Sequence, residues 1–307
     1  MRFKAFVLLM IFCANAFTAF PQRTVRRSQA VRSIIVTTKP GATIWLDGVL
    51  RGSADDSGKF VVKPVSKGIH RIRIRAFGFK EIDKRVLATQ KSVRAPLAKN
   101  SDRAVMLYHE AEKLMAEDKI KAIGKYKESL SLNPRYSDAQ LGLARAYAAT
   151  GDYEDGLAII KKARLSKRAF PEASAVEGRI YRSNGDIDNA IDSFERAIRE
   201  GKGFQPEAHT GLALIFKDEA EAARSRGDFE EEKLYYGEAA TSFETAIDQL
   251  SATEPVVYLL LGQVYEKSGE KQKAIKIYER FLRDMPDHEE RMAVESFIVQ
   301  LKKPSII

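Results

Sequence analysis

The sequence predicts two units of different class: a small all-β sandwich over residues 33–98, followed by an all-α superhelical solenoid of helix pairs over residues 103–302. Three observations carry this. The charge divides: residues 21–100 hold 18 Lys/Arg against 5 Asp/Glu, and residues 101–307 hold 31 against 37. A basic front on an acidic back implies two modules with different work. Short β-branched runs separated by turn residues fill the front, and a 34-residue period fills the back. The chain length of 307 residues suits two domains, and 44% hydrophobic residues suffice for two cores. A charged fraction of 30% excludes a polytopic membrane protein.

The chain opens with Arg2 and Lys4, then an apolar run from Ala5 to Cys13, then Ala14-Asn15-Ala16. That order is the layout of a secretory signal peptide over residues 1–20, with cleavage after Ala16. The other reading is an uncleaved membrane anchor, for which the 16 residues Ala5–Phe20 are short. Either way the expected location is outside the cytoplasm, periplasmic or at the cell surface. Membrane contact is then expected only through that segment. Bulky Met10-Ile11-Phe12 before Cys13 speaks against lipid attachment there. Cys13 is the only cysteine, so a cleaved chain has no thiol or disulfide chemistry. Residues 21–32, with Arg23, Arg26, Arg27 and Arg32, read as a basic linker.

Strands are expected at Ser33–Thr38, Thr43–Asp47, Phe60–Lys63, Ile69–Arg75, Glu81–Leu87 and Ser92–Leu97. Their spacing and the intervening Pro40-Gly41, Asp47-Gly48 and Asp56-Ser57-Gly58 favour a sandwich. Ile72 and Ile74 alternate with Arg71, Arg73 and Arg75, which puts three arginines on one outward face. That stripe is a candidate polyanion-binding surface. Trp45 has the opposite parity from Ile44 and Leu46, as a sugar platform or as packing under a loop. Asp55-Asp56-Ser57-Gly58 lacks the spaced ligands of a calcium loop and reads as a turn.

The stretches Lys39-Pro40-Gly41-Ala42-Thr43-Ile44-Trp45-Leu46-Asp47-Gly48, Gly68-Ile69-His70-Arg71-Ile72 and Phe77-Gly78-Phe79 resemble the PEGA domain of bacterial envelope proteins. The family's glutamate before Gly-Ala is replaced by Pro40. The resemblance implies an extracytoplasmic, surface-exposed protein and no catalytic residues in this unit.

The back half repeats itself. Ala144-x2-Tyr147-x3-Gly151-Asp152 and Gly156-x3-Ile160-x2-Ala163 return as Gly178-x2-Tyr181-x3-Gly185-Asp186 and Ala190-x3-Phe194-x2-Ala197. Gly151 and Gly185 are 34 residues apart. Leu261-Gly262-x2-Tyr265-x3-Gly269 and Ala274-x3-Tyr278-x2-Phe281 form a later copy, and Ala122-x3-Tyr126 belongs to a degenerate first one. These residues resemble the tetratricopeptide repeat family. The units run 103–136, 137–170, 171–204, 206–253 and 255–287, with a capping helix at 288–302. In this reading the aromatics fill seams between stacked pairs and the glycines sit at close approaches and turns.

The fourth unit is longer. Phe216 to Gly227 is 11 residues where Tyr181 to Gly185 is 4, and Gly227 to Ala239 is 12 where Gly185 to Ala190 is 5. Seven added residues per helix make nearly two turns, so the hairpin should project about 10 Å further in register. Ala220, Ala223, Leu234 and Tyr235 are expected to pack there, leaving surface around Tyr235 and Tyr236 for a partner or for self-association. Asp287 and Glu290 have capping-box spacing, and Val294, Phe297, Ile298 and Leu301 form a buried stripe behind them.

His70, His109, His209 and His288 are scattered, and no phosphate loop or nucleophile elbow appears, so the chain is expected not to be an enzyme and to need no cofactor. The family resemblance places the binding groove on the first helix of each pair. Tyr108, Arg145, Arg179, Arg182 and Lys217 are its candidate contacts. Arg145 and Arg179 occupy equivalent places in adjacent repeats, a basic patch fit for an acidic or carboxylate-bearing segment. The expected role is an adaptor binding a peptide segment of a cell-envelope protein. The alternative is a surface-structural protein whose basic β unit binds an anionic envelope polymer. An exported chain rarely meets nucleic acid, so none is expected as partner.

Overall fold

Alternation of apolar and polar residues places Ile34, Val36, Ile44, Leu46, Val62, Ile72, Ile74, Val86 and Val93 in one core. These come from two sheets packed face to face. The strands are β1 (Arg32–Thr37), β2 (Thr43–Leu46), β3 (Val49–Ser53), β4 (Lys59–Val65), β5 (His70–Arg75), β6 (Ile82–Val86) and β7 (Ser92–Arg94). One sheet has the order β4-β1-β7 and the other β3-β2-β5-β6. The computed structural model describes residues 32–303 except Ser166, Arg168 and Ala252. The expected signal segment and the basic linker up to Val31 therefore lie outside the described residues.

Strand β3 was not expected. Asp47 and Gly48 take φ of 52° and 84°, the left-handed pair of a tight hairpin turn, and β3 follows at once. Its pattern is obscured by Gly52, which sits where the β2–β3 register shifts. A side chain there would meet the Phe60 ring at 2.7 Å. The Asp55 segment is a turn: Asp55 Oδ1 accepts from the Ser57 and Lys59 amides, each at 2.9 Å.

The helices are α1 (Arg103–Leu114), α2 (Lys119–Leu132), α3 (Ser137–Thr150), α4 (Tyr153–Arg164), α5 (Pro171–Ser183), α6 (Ile187–Glu200), α7 (Pro206–Arg226), α8 (Phe229–Leu250), α9 (Pro255–Lys267), α10 (Lys271–Asp284) and α11 (Arg291–Lys302). Aspartates 102, 118, 186 and 228 cap α1, α2, α6 and α8 with their side chains. Proline opens α5, α7 and α9, where a missing amide costs nothing. Inside a pair, small residues set the distance: a Cβ on Gly178 would lie 2.7 Å from Phe194, and one on Gly262 would overlap the Tyr278 ring. Phe194, Tyr265 and Tyr278 are buried in the seams.

Helices α7 and α8 have 21 and 22 residues, against 13 and 14 in α5 and α6. Their added turns close over Ala220, Ala223 and Tyr236, all buried. Leu234, expected in that contact, is exposed, as is Phe229. Tyr235 instead stacks on Phe216, ring centres 6.4 Å apart. The register of α8 turns Tyr236 inward and leaves little of it open. Helix α11 starts at Arg291, so Asp287 and Glu290 form no capping box; the Glu290 amide instead donates to His288 Nδ1 at 3.2 Å. Val294 and Ile298 bury the helix, and Phe297 stays partly exposed.

The two units also meet through side chains. Arg75 at the end of β5 is only 12% exposed and donates to Glu81 at 2.8 Å, to the Tyr108 hydroxyl at 2.6 Å and to Asp138 at 3.5 Å. It lies over Trp45 and over Tyr108. Phe77 faces His109 beside it. The connecting chain is tied back by Lys80 N to Ala98 O at 2.8 Å and Asn100 N to Gly78 O at 2.9 Å.

Candidate functional site

The first helices of successive pairs share one face. Arg145 on α3 and Arg179 on α5 both reach a single carboxylate, Glu207 on α7, at 3.5 and 3.3 Å. A side chain on α3 can meet one on α7 across α5 only if the stacked pairs curve toward that face, so this is the concave side. Further along it, Arg182 donates to Asp218 at 3.0 Å. Lys217 lies between Asp218 at 3.5 Å and Glu221 at 2.9 Å, and Lys267 of α9 also reaches Glu221. The groove is thus an alternating ladder of charge along α3, α5, α7 and α9. Its predicted cations Arg145, Arg179, Arg182 and Lys217 do lie together. Tyr108 does not join them: it is 4% exposed, enclosed by Arg75, Tyr126 and Tyr136.

The three carboxylates of the ladder were missed in the sequence. Glu207 stands three residues before Thr210, which its spacing from the small residues of α7 puts on the groove side, so the two lie one helical turn apart on the same face. That spacing was the available signal, but acids on repeat surfaces are common enough to hide it.

Arg145 and Arg179 are held loosely. Their side chains are 38% and 42% exposed, and neither contact with Glu207 has hydrogen-bond geometry. Glu207 Oε1 is buried and accepts no hydrogen bond from the described residues. Crowding in the concavity pushes the pKa of Arg179 below its ordinary value, opposed by Glu207 and helped by Arg145. Glu200, a carboxylate with a packing role in the same array, looks different. It accepts from Arg164 and Ser174 at 2.8 Å each and from the Phe170 amide at 3.1 Å.

On the β unit the three stripe arginines diverge. Arg71 is 72% exposed and paired with Asp83 at 2.6 Å. Arg73 lies over Trp45 at 4.6 Å with no ion pair among the described residues. Arg75 is enclosed at the junction. Trp45 is therefore half-buried beneath two guanidinium groups. Among the described residues no group of three His, Cys, Asp or Glu side chains could hold a metal ion. No described helix is long and apolar enough to cross a membrane.

Family models for the tetratricopeptide repeat match residues 113–180, 176–233 and 257–293. The helical array is built of tetratricopeptide repeats. Similar curated proteins include the photosystem I assembly protein Ycf3 of Prochlorococcus marinus, 26% identical over 32% of this chain and 57% of the relative. Another is kinesin light chain-related protein 1 of Arabidopsis thaliana, 26% identical over 45% of this chain and 24% of the relative. These matches span less than three fifths of the relatives' own length. Among solved structures, yeast Tom70 superposes with a TM-score of 0.52 at 16% identity, over 66% of this chain and 40% of Tom70. A monomeric mutant of IFIT1 with Gppp-AAAA superposes with a TM-score of 0.50 at 17% identity, over 63% of this chain and 43% of that chain. Both show the solenoid fold alone.

Proposed function

We propose that this repeat array is a non-enzymatic scaffold whose concave face holds an acidic or carboxylate-bearing segment of a partner protein. The observation that carries it is the pair Arg145 and Arg179, one repeat apart, facing one groove with a single loosely held carboxylate between them. Guanidinium forks pair with carboxylates bidentately, and two of them one repeat apart read an extended segment. The name of the Ycf3 relative, an assembly protein, agrees with a scaffold role. The N-terminal charge and apolar pattern from Arg2 to Ala16, and the PEGA-like strings around Pro40 and Gly68, support an exported protein whose partner lies in the cell envelope.

The test is the anisotropy of a labelled oligoglutamate peptide titrated with the whole chain. The double variant Arg145→Ala/Arg179→Ala should weaken binding about tenfold or more and flatten its salt dependence. Unchanged affinity would remove the groove from the reading. A second reading rests on Arg73, which stacks on Trp45 with no carboxylate partner among the described residues: the β unit binds an anionic envelope polymer. Trp45 is the only tryptophan, so a change in its fluorescence on adding an anionic polysaccharide would favour that reading.

A further inference from the structure

We infer that Glu207 is a specificity-determining residue of the groove: it stands where a ligand carboxylate would sit between Arg145 and Arg179, and an acidic segment must outcompete it. This rests on the acidic-segment reading above and adds a residue to it.

Glu207 lies in the first turn of α7, where the helix N-terminus favours a negative charge. It faces two guanidinium groups from two other repeats. A carboxylate serving only to knit repeats together would be closed by hydrogen bonds, as Glu200 is by Arg164, Ser174 and Phe170. Glu207 is not closed: its contacts at 3.3 and 3.5 Å lack hydrogen-bond geometry, and its buried Oε1 accepts nothing from the described residues. Leaving a buried acceptor unpaired while two cations stand nearby is unfavourable. One negative charge against two positive ones also leaves a surplus of one. The neighbouring rung shows the alternative. Arg182 and Asp218 are hydrogen-bonded at 3.0 Å, so that rung is already satisfied.

The arrangement therefore discriminates by charge density. A segment with one carboxylate can meet only the surplus cation and is repelled by Glu207. A segment with adjacent carboxylates can pair with both arginines and gains more than Glu207 withholds. Neutral and basic segments gain nothing from the rung. Glu207 thus acts against weakly acidic partners, which is how a site gains specificity at some expense of affinity.

The experiment uses the full chain and the same labelled oligoglutamate peptide, over a series of salt concentrations. Glu207→Gln keeps the size of the side chain and removes its charge. It should tighten binding about tenfold, equal to about 1.4 kcal/mol, and steepen the salt dependence. Glu230→Gln makes the same charge change on the exposed start of α8, away from the groove, and should leave affinity unchanged. Adding Arg145→Ala/Arg179→Ala to Glu207→Gln should abolish the gain. If Glu207→Gln has no effect while the arginine variant still loses binding, the inference is overturned and the groove reading stands. An equal gain from Glu230→Gln, or a gain that survives loss of both arginines, also overturns it. If neither wild type nor Glu207→Gln binds the peptide, both readings fall. Circular dichroism confirms that each variant keeps its helices.

Discussion

Arg75 and the pair Arg145–Arg179 are arginine clusters of opposite character. At the junction one guanidinium meets Glu81, Tyr108 and Asp138, with Glu112 at 4.0 Å, and stacks on two rings. Burial alone would lower its pKa, but the combined pull of Tyr108, Glu81 and Asp138 raises it above the ordinary arginine value. In the groove two guanidinium groups share one carboxylate and make no hydrogen bond to it. The ratio of acids to arginines is reversed between the two places. A cation with an excess of acceptors is a fastening, because every state without it leaves the buried Tyr108 hydroxyl and two half-buried carboxylates without their shared donor. Cations with too few acceptors keep pairing capacity unused, which is the basis of the site proposed for the groove.

The sharpest way to break this comparison is Arg75→Ala. It should destabilise the protein by about 2–3 kcal/mol, because it leaves Glu81, Asp138 and the Tyr108 hydroxyl without their shared partner. Urea denaturation measures this. Limited proteolysis should also begin to cut between residues 97 and 102, where the units part. A stability equal to wild type would mean that the junction is only a surface contact.

The next effect is on pH. His109 sits beside Arg75 with Nδ1 buried and without a hydrogen-bond partner among the described residues, and its burial, with Arg75 nearby, pushes its pKa down to about 4. The unfolded chain binds this proton near pH 6.5, before the folded chain does. Stability from His109 is therefore fully present above about pH 6.5 and is lost as pH falls toward about 4, by an amount on the order of 2 kcal/mol. Denaturation midpoints between pH 7.5 and 4.5 should fall in wild type and fall less in His109→Gln. Parallel curves would show that the junction does not hold the imidazole neutral.

The smallest effect sharpens the comparison from the other side. Arg145→Ala and Arg179→Ala should each change stability by under about 0.5 kcal/mol, since both side chains are over a third exposed and solvent screens their contacts. A loss as large as that of Arg75→Ala would make the groove arginines fastenings too.

The helical array was legible in the sequence because its contacts are local and repeated. Gly178 faces Phe194, and Gly262 faces Tyr278, within a single pair, so the spacing of the residues is the spacing of the contacts. The same holds for the Ile72–Ile74 alternation of β5 and for the extra turns of α7 and α8. Strand β3 escaped because Gly52 breaks its pattern, and the start of α11 moved because a capping-box spacing does not establish that the box forms. Periodicity also decides which way a side chain points without deciding what it meets. Arg71, Arg73 and Arg75 share one parity, yet one is paired at the surface, one lies on Trp45 and one is enclosed by residues from α1 and α3. Tyr108 and Asp138 stand 33 and 63 positions beyond Arg75, and Glu207 stands 62 beyond Arg145. The chain's own pattern thus determined the elements, the pairs and the faces. Only the stacking of repeats and the docking of the β unit decided which arginines are closed and which stay open, because a charge's neighbours at a few ångströms are set by packing between distant segments.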